Sequence, residues 1–245
     1  MYQEILKMKQ VLEYRKPYEP EVRKQLKQDE LCDLIYTALH LDGSVFLKDQ
    51  IRDIIQGNAM GAVKEATIQD HMSIEQHVDA FAHIDDLLAM DTDIDMRVLE
   101  ELNDIICGSE GPIWRSSNPV LYTYDYMPPH YNEVNDKASQ LIKWYYHADE
   151  ETNGNHVLKA ALLHNKLIEL YPFAYSNEAT ARILMYFSLM RLGYPIFELR
   201  VNEQEYNDAI IEYLKHKNIE PFYKLLERSL YNRLCALVQI TDSEY

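Results

Sequence analysis

The sequence predicts an all-α, mostly helical fold carrying one small β-hairpin. Only 7 glycines and 9 prolines interrupt 245 residues, so little breaks a helix once it has begun. Apolar residues recur close to a 3.6-residue period through most of the chain. One region departs from that pattern. Residues 108–129 hold glycine, proline and the run Val120-Leu121-Tyr122-Thr123-Tyr124-Asp125-Tyr126, whose alternation and aromatic content suit a short strand or hairpin.

The elements follow in order. Amphipathic helices are expected over 3–14 and 21–40, split by Pro17 and Pro20. The second carries Leu26, Leu31, Leu34, Ile35 and Leu39 at helical spacing. Asp42-Gly43-Ser44 makes a turn, and a further helix with Leu47, Ile51, Ile54 and Ile55 on one side stops near Gly57. Helices over 73–90 and 94–106 precede the irregular region. Helical character returns over 131–147, 156–170, 180–192, 203–216 and 219–238. The expected organisation is a block of N-terminal helices (1–60), a core (61–200) and C-terminal helices packed on it (201–245).

Composition excludes several function classes. A formal net charge of -16 repels nucleic-acid phosphates and anionic membranes alike. No apolar run reaches the roughly 18 residues a membrane span needs, and the charged N-terminal stretch does not read as a signal peptide. Cys32, Cys107 and Cys235, odd in number and far apart, read as reduced thiols of a cytoplasmic protein. His71, His77 and His83 recur every six residues; that spacing turns each about 240° from the last, so they share no face for a metal. No metal site is expected.

The stretch that points to chemistry is Tyr171-Pro172-Phe173-Ala174-Tyr175-Ser176-Asn177-Glu178-Ala179-Thr180-Ala181-Arg182, lying between two helical patterns. It resembles the signature of the Fic family, His-x-Phe-x-Asp/Glu-Gly-Asn-Gly-Arg-x-x-Arg, agreeing at Phe173, Asn177 and Arg182. Leu189-Met190-Arg191-Leu192-Gly193-Tyr194-Pro195 downstream and Ala160-Ala161-Leu162-Leu163-His164 upstream are similar to the helices that flank that loop. Gly111-Pro112-Ile113-Trp114-Arg115, followed by Pro128-Pro129, resembles the family's flap, the hairpin that holds a target segment. Leu41-Asp42-Gly43-Ser44 resembles the Ile-Glu-Gly-Asn turn of members bearing an N-terminal inhibitory helix. The likeness spans roughly residues 35 to 215. It implies a Fic fold and a relation to enzymes that transfer AMP from ATP to a protein hydroxyl.

The substitutions imply impaired chemistry. Tyr171 stands where the family has its general-base histidine; near neutral pH an ordinary tyrosine is only about a thousandth deprotonated, and losing a positioned base forfeits about 10²–10⁴ in rate. Tyr175 replaces the acid that holds magnesium, which prefers carboxylate oxygens; Asp125 on the flap is a candidate substitute. Ser176 and Glu178 replace the glycines whose bare N–H groups close on phosphate, and Ala179 replaces an arginine. At ~5 Å and an effective dielectric of ~20, Glu178 would repel one phosphate charge by roughly 3 kcal/mol. Glu178 also suits the first turn of the next helix, where a carboxylate complements the dipole.

Arg182, which the family pairs with the γ-phosphate or with the inhibitory glutamate, is expected to pair with Asp42. His164, two turns before Tyr171, reads as a packing residue rather than a substitute base. Arg115, Tyr122, Tyr124 and Asp125 are candidates for the flap and target groove, since tyrosine rings are amphipathic partner contacts. The leading expectation is a Fic-fold binding or regulatory module with a protein partner and no cofactor; ATP and magnesium enter only if the family activity survives. The rivals are a divergent transferase using another phosphate-containing donor, with Tyr171 and Arg182 at its centre, and a purely structural helical scaffold.

Overall fold

In the computed structural model, residues 1–16, 20–57, 68–108 and 114–242 are described, with backbone alone for 20–28 and 68–70. Pro17 and the flap residues Gly111, Pro112 and Ile113 lie outside the described residues. Ten α-helices are present among them: α1 Tyr2–Tyr14, α2 Pro20–Leu41, α3 Lys48–Ile55, α4 Ile68–Ala89, α5 Met96–Cys107, α6 Val134–His147, α7 His156–Leu170, α8 Asn177–Met190, α9 Glu203–His216 and α10 Glu220–Asp242.

The helix ends follow from side chains that satisfy orphan backbone groups. The Asp95 carboxylate accepts from the Val98 N–H at 2.8 Å to start α5. Asn155 Oδ1 accepts from Val157 and Leu158 N–H at 3.1 and 3.0 Å to start α7. Asn202 and Glu205 form a capping box on α9. Gly108 ends α5 at a φ of 61°, where a residue without a Cβ is unstrained.

The centre is the antiparallel pair α7 and α8. Both are apolar nearly all round, and almost every α8 side chain is buried, as expected of helices enclosed on every side. The other helices wrap this pair: α5 and α4 cover α8, α6 and α10 cover α7, α1 lies along α10, and α9 closes one end. His164 is fully buried. Its Nε2 meets the Tyr206 hydroxyl at 2.8 Å and its ring stacks on Phe222 at 4.4 Å, so it packs helices together, as expected. No helix among the described residues is long and apolar enough to cross a membrane.

Two elements differ from the sequence-based expectation. The run 120–126 forms no extended strand. Leu121 and Tyr126 make a single antiparallel bridge around a 3-10 turn, Tyr122–Tyr124, with Asp125 at a φ of 47°. A strand would put Tyr122 and Tyr124 on one face. Here Tyr122 is exposed while Tyr124 is buried. Helix α8 starts at Asn177 rather than 180, because the Asn177 amide closes the preceding loop. Its Oδ1 accepts from Phe173 N–H at 2.9 Å and its Nδ2 donates to Phe173 O at 2.8 Å.

Candidate active site

Helix α7 delivers Tyr171 and helix α8 receives the loop. Tyr171 ends α7 in the left-handed region at φ 47°, and Ser176 precedes α8 in the same region at φ 55°. These two bends turn the chain back within five residues. Asn103 on α5 ties the loop down, its Nδ2 donating to Tyr175 O at 3.1 Å and Thr180 Oγ1 at 3.0 Å. The Thr180 hydroxyl in turn donates to Ser176 O at 2.7 Å. On the opposite side Trp114 bridges to Phe173, their rings 5.0 Å apart.

Arg115, a candidate for the target groove, is instead a buried clamp, 5% exposed. Its Nε donates to Tyr171 O at 2.7 Å, Nη1 to Ser117 O at 3.0 Å, and Nη2 to the carbonyls of Pro129 and Leu170. It thereby satisfies carbonyls left open at the end of α7. Burial pulls its pKa down.

The Tyr171 hydroxyl donates to both oxygens of Glu178, at 3.1 Å each. Burial first, and then the neighbouring Glu178 charge, push the phenol well above its ordinary pKa. Tyr171 is thus held as a neutral donor, the opposite of what a proton-abstracting group needs. Burial likewise raises the Glu178 carboxyl above 4.5, although Arg182 and the Tyr171 hydroxyl pull the other way.

This has a pH consequence. An acid whose folded pKa is raised contributes stability that is complete below its unfolded pKa and is lost as pH rises through the folded value. Glu178→Gln should therefore raise Tm at pH 7 relative to the parent, with the difference closing by pH ~4. Parallel melts of the two proteins across that range check it; a difference that grows toward acid pH contradicts the assignment.

Arg182 is 4% exposed. Its Nη2 donates to Asp42 Oδ2 at 2.5 Å and to Ala38 O at 3.4 Å, and its guanidinium lies 5.9 Å from the Tyr206 ring. Burial opposes the charge, but Asp42 and Tyr206 together outweigh it and raise the pKa. Asp42 and Gly43 form the expected turn after α2, Gly43 taking a φ of 85°. Among the remaining candidates, Tyr175 and Tyr122 are exposed, and Asp125 sits on the surface with Lys215 Nζ 2.9 Å away.

A cleft of about 610 Å³ opens beside the loop, walled by Asp42, Tyr124, Ser176, Glu178, His77 and Glu203 among others. No lysine or arginine is among its described lining residues. Sequence reasoning missed Asn103, His77 and Glu203. An asparagine on the apolar stripe of α5 was the signal for the first; nothing in sequence marked the other two.

A family model described as Fic/DOC family matches residues 93–189. Residues 93–189 are thus a Fic/DOC domain by this match. The match runs through α5, the bridge at Trp114, α6, α7 and the loop into α8, so the Fic domain contains the loop and both faces that hold it. Protein adenylyltransferase Fic of Drosophila melanogaster is 24% identical over 205 residues, covering 83% of this chain and 41% of that protein. The chain thus spans about two-fifths the length of the curated relatives it matches first.

A Fic domain containing signaling protein from Bacteroides thetaiotaomicron shares the fold at a TM-score of 0.82 and 18% identity, with 99% of this chain and 97% of that one covered. A structure of IbpAFic2 in complex with adenylylated Cdc42 aligns more loosely, at a TM-score of 0.51 and 18% identity, covering 94% and 70%.

Proposed function

We propose that this chain is a Fic-fold binding or regulatory module, related to enzymes that transfer AMP from ATP to a protein hydroxyl but itself impaired in that reaction. One observation carries the reading. The residue at the family's base position, Tyr171, is committed as a donor to Glu178, which stands where the family keeps a phosphate-side glycine.

The residues present do not fit a magnesium-bound triphosphate. The exposed phenol Tyr175 replaces the metal-holding acid. Asp125, the candidate substitute, is paired with Lys215. No three described His, Cys, Asp and Glu side chains converge to hold a metal. Arg182, the surviving cation, is buried and gives Nη2 to Asp42, its Nε and Nη1 having no hydrogen-bond partner, and Asp42, Glu178 and Glu203 give the cleft a negative wall that repels phosphate. That a relative was solved with adenylylated Cdc42 supports a protein as the partner here.

The test is a melt with and without millimolar ATP and magnesium, together with transfer of labelled AMP onto a protein mixture. Any ligand that binds the native state stabilises it. No shift and no transfer are expected. A clear shift with transfer that disappears in Tyr171→Phe would sink this reading in favour of a divergent transferase, for which the volume left in the cleft leaves room.

A further inference from the structure

A second cavity, of about 490 Å³, lies among α1, α2, α4, α10 and the segment that follows α8. It shares no described lining residue with the cleft beside Glu178. Its walls are apolar and come from each of those elements: Leu12 on α1, Leu31 on α2, Phe81 on α4, Ile196 after α8, and Leu234 and Leu237 on α10. All of these but Leu31 are buried, so the space lies among side chains withdrawn from water rather than on an exposed face. Its volume falls within the roughly 300–1,000 Å³ of small-molecule sites. Apolar walls give water little to hydrogen-bond, and side chains that face a gap forgo dispersion contacts. An apolar occupant supplies those contacts.

The charged groups on the wall do not balance. Glu13 accepts from Lys16 Nζ at 2.7 Å, Glu30 pairs with Arg233, and Asp85 is engaged as well. Lys9 is half-buried, and its Nζ lies over the Tyr194 ring at 5.3 Å, with no carboxylate partner among the described residues. Its place at the wall is marked twice, because Tyr194 and Gly193 both line the same space. A Cβ placed on Gly193 would lie 3.5 Å from Lys9 Cε and 3.6 Å from its Nζ. Glu13 Oε1 comes as close to that point, at 3.5 Å, but Lys16 holds it. The chain has 40 acidic side chains for 24 lysines and arginines, so a shortage of carboxylates does not explain the unmatched cation.

We propose that this cavity binds a free long-chain carboxylic acid, its alkyl tail among Phe81, Leu234 and Leu237 and its carboxylate on Lys9 Nζ. One unmatched cation on an otherwise apolar or internally paired lining suits a ligand with a single negative charge at the end of an apolar body. The carboxylate makes a charge-assisted hydrogen bond with the ammonium, and the tail replaces the contacts that the walls lack. An extended protein segment would instead bring backbone N–H and C=O groups that apolar walls leave unsatisfied.

Calorimetric titration of the whole chain with octanoate, decanoate and dodecanoate tests this, each below its micelle concentration and in about 0.15 M salt. Each buried methylene should tighten binding roughly fourfold, until the tail outgrows the cavity. Dodecylammonium, with the same tail and the opposite charge, should bind at least about tenfold more weakly than dodecanoate. Lys9→Gln should weaken dodecanoate about tenfold, the scale of a lost hydrogen bond to a charged group. Lys7→Gln, an exposed lysine of the same helix, should change affinity less than about twofold. Ala82→Trp, at an exposed lining position on α4, should fill the space and abolish binding. Lys9→Gln removes no apolar packing, so it keeps the test valid should the tryptophan disturb α4.

The proposal is overturned if dodecanoate does not bind, if affinity is indifferent to chain length, if dodecylammonium binds as well, or if Lys9→Gln behaves like Lys7→Gln. Binding to phosphatidylglycerol vesicles without binding of the monomeric acid would overturn it in favour of a membrane surface. A dimer that Ala82→Trp dissociates would overturn it in favour of a second copy of this chain.

Discussion

Arg115→Met should lower the unfolding free energy by about 3–5 kcal/mol, and the melting temperature by roughly 6–20 °C for a chain of this size. The side chains are similar in reach, so packing volume changes little. What is lost is a buried guanidinium that donates to the carbonyls of Tyr171, Ser117, Pro129 and Leu170. The Leu170 carbonyl is then stranded where water reaches poorly, while the other three lose their donor in part-buried surroundings. Two of the four belong to the end of α7, so the loop carrying Tyr171 should loosen as well. Denaturant titration of the two proteins measures the cost, and a loss under about 1 kcal/mol would show that solvent readily replaces the clamp.

Asp42→Ala should destabilise by about 2–3 kcal/mol, whereas removing Arg182 with it, as Asp42→Ala/Arg182→Leu, should recover much of that loss. Breaking a wholly buried pair by deleting one partner costs about 3–5 kcal/mol, because the remaining charge is left uncompensated. The lower figure reflects geometry: the Asp42 side chain is 36% exposed while Arg182 is 4% exposed, so water supplies part of the missing partner. A double-mutant cycle in urea isolates the pairwise contribution. A double variant that loses the sum of the two single losses would show that the pair is not coupled.

Much of the helical scaffold was legible because its cues are local. Glycine and proline scarcity and apolar periodicity are both readable from neighbours in sequence. The Asp42–Arg182 contact, between residues 140 apart, was legible for another reason: two degenerate motifs in family order implied their juxtaposition. The tyrosine run at 122–126 misled because alternation of aromatic residues suits a strand, while a 3-10 turn separates Tyr122 from Tyr124 by rotation instead. Arg115 was misread because its value lies in carbonyls of Leu170 and Tyr171, more than fifty residues later, and carbonyls carry no sequence signal. The inward-facing role of His77 depends on which helix lies opposite, and periodicity is silent about that.

The long reach of these ties bears on how the chain is made. Asp42 meets a partner 140 residues downstream, and Arg15 in the segment after α1 meets Asp242 after a separation of 227. At about 5–20 residues per second on the ribosome, the Asp42 turn waits roughly 7–28 s for Arg182 to be synthesised, and Arg15 waits longer still. During that interval α2 can pack on α3 and α4, but the apolar side of α1 has no native surface, since it lies along α10. The nascent chain therefore assembles its enclosed α7–α8 centre late, and α1 is the part that a cell would have to shield from premature association.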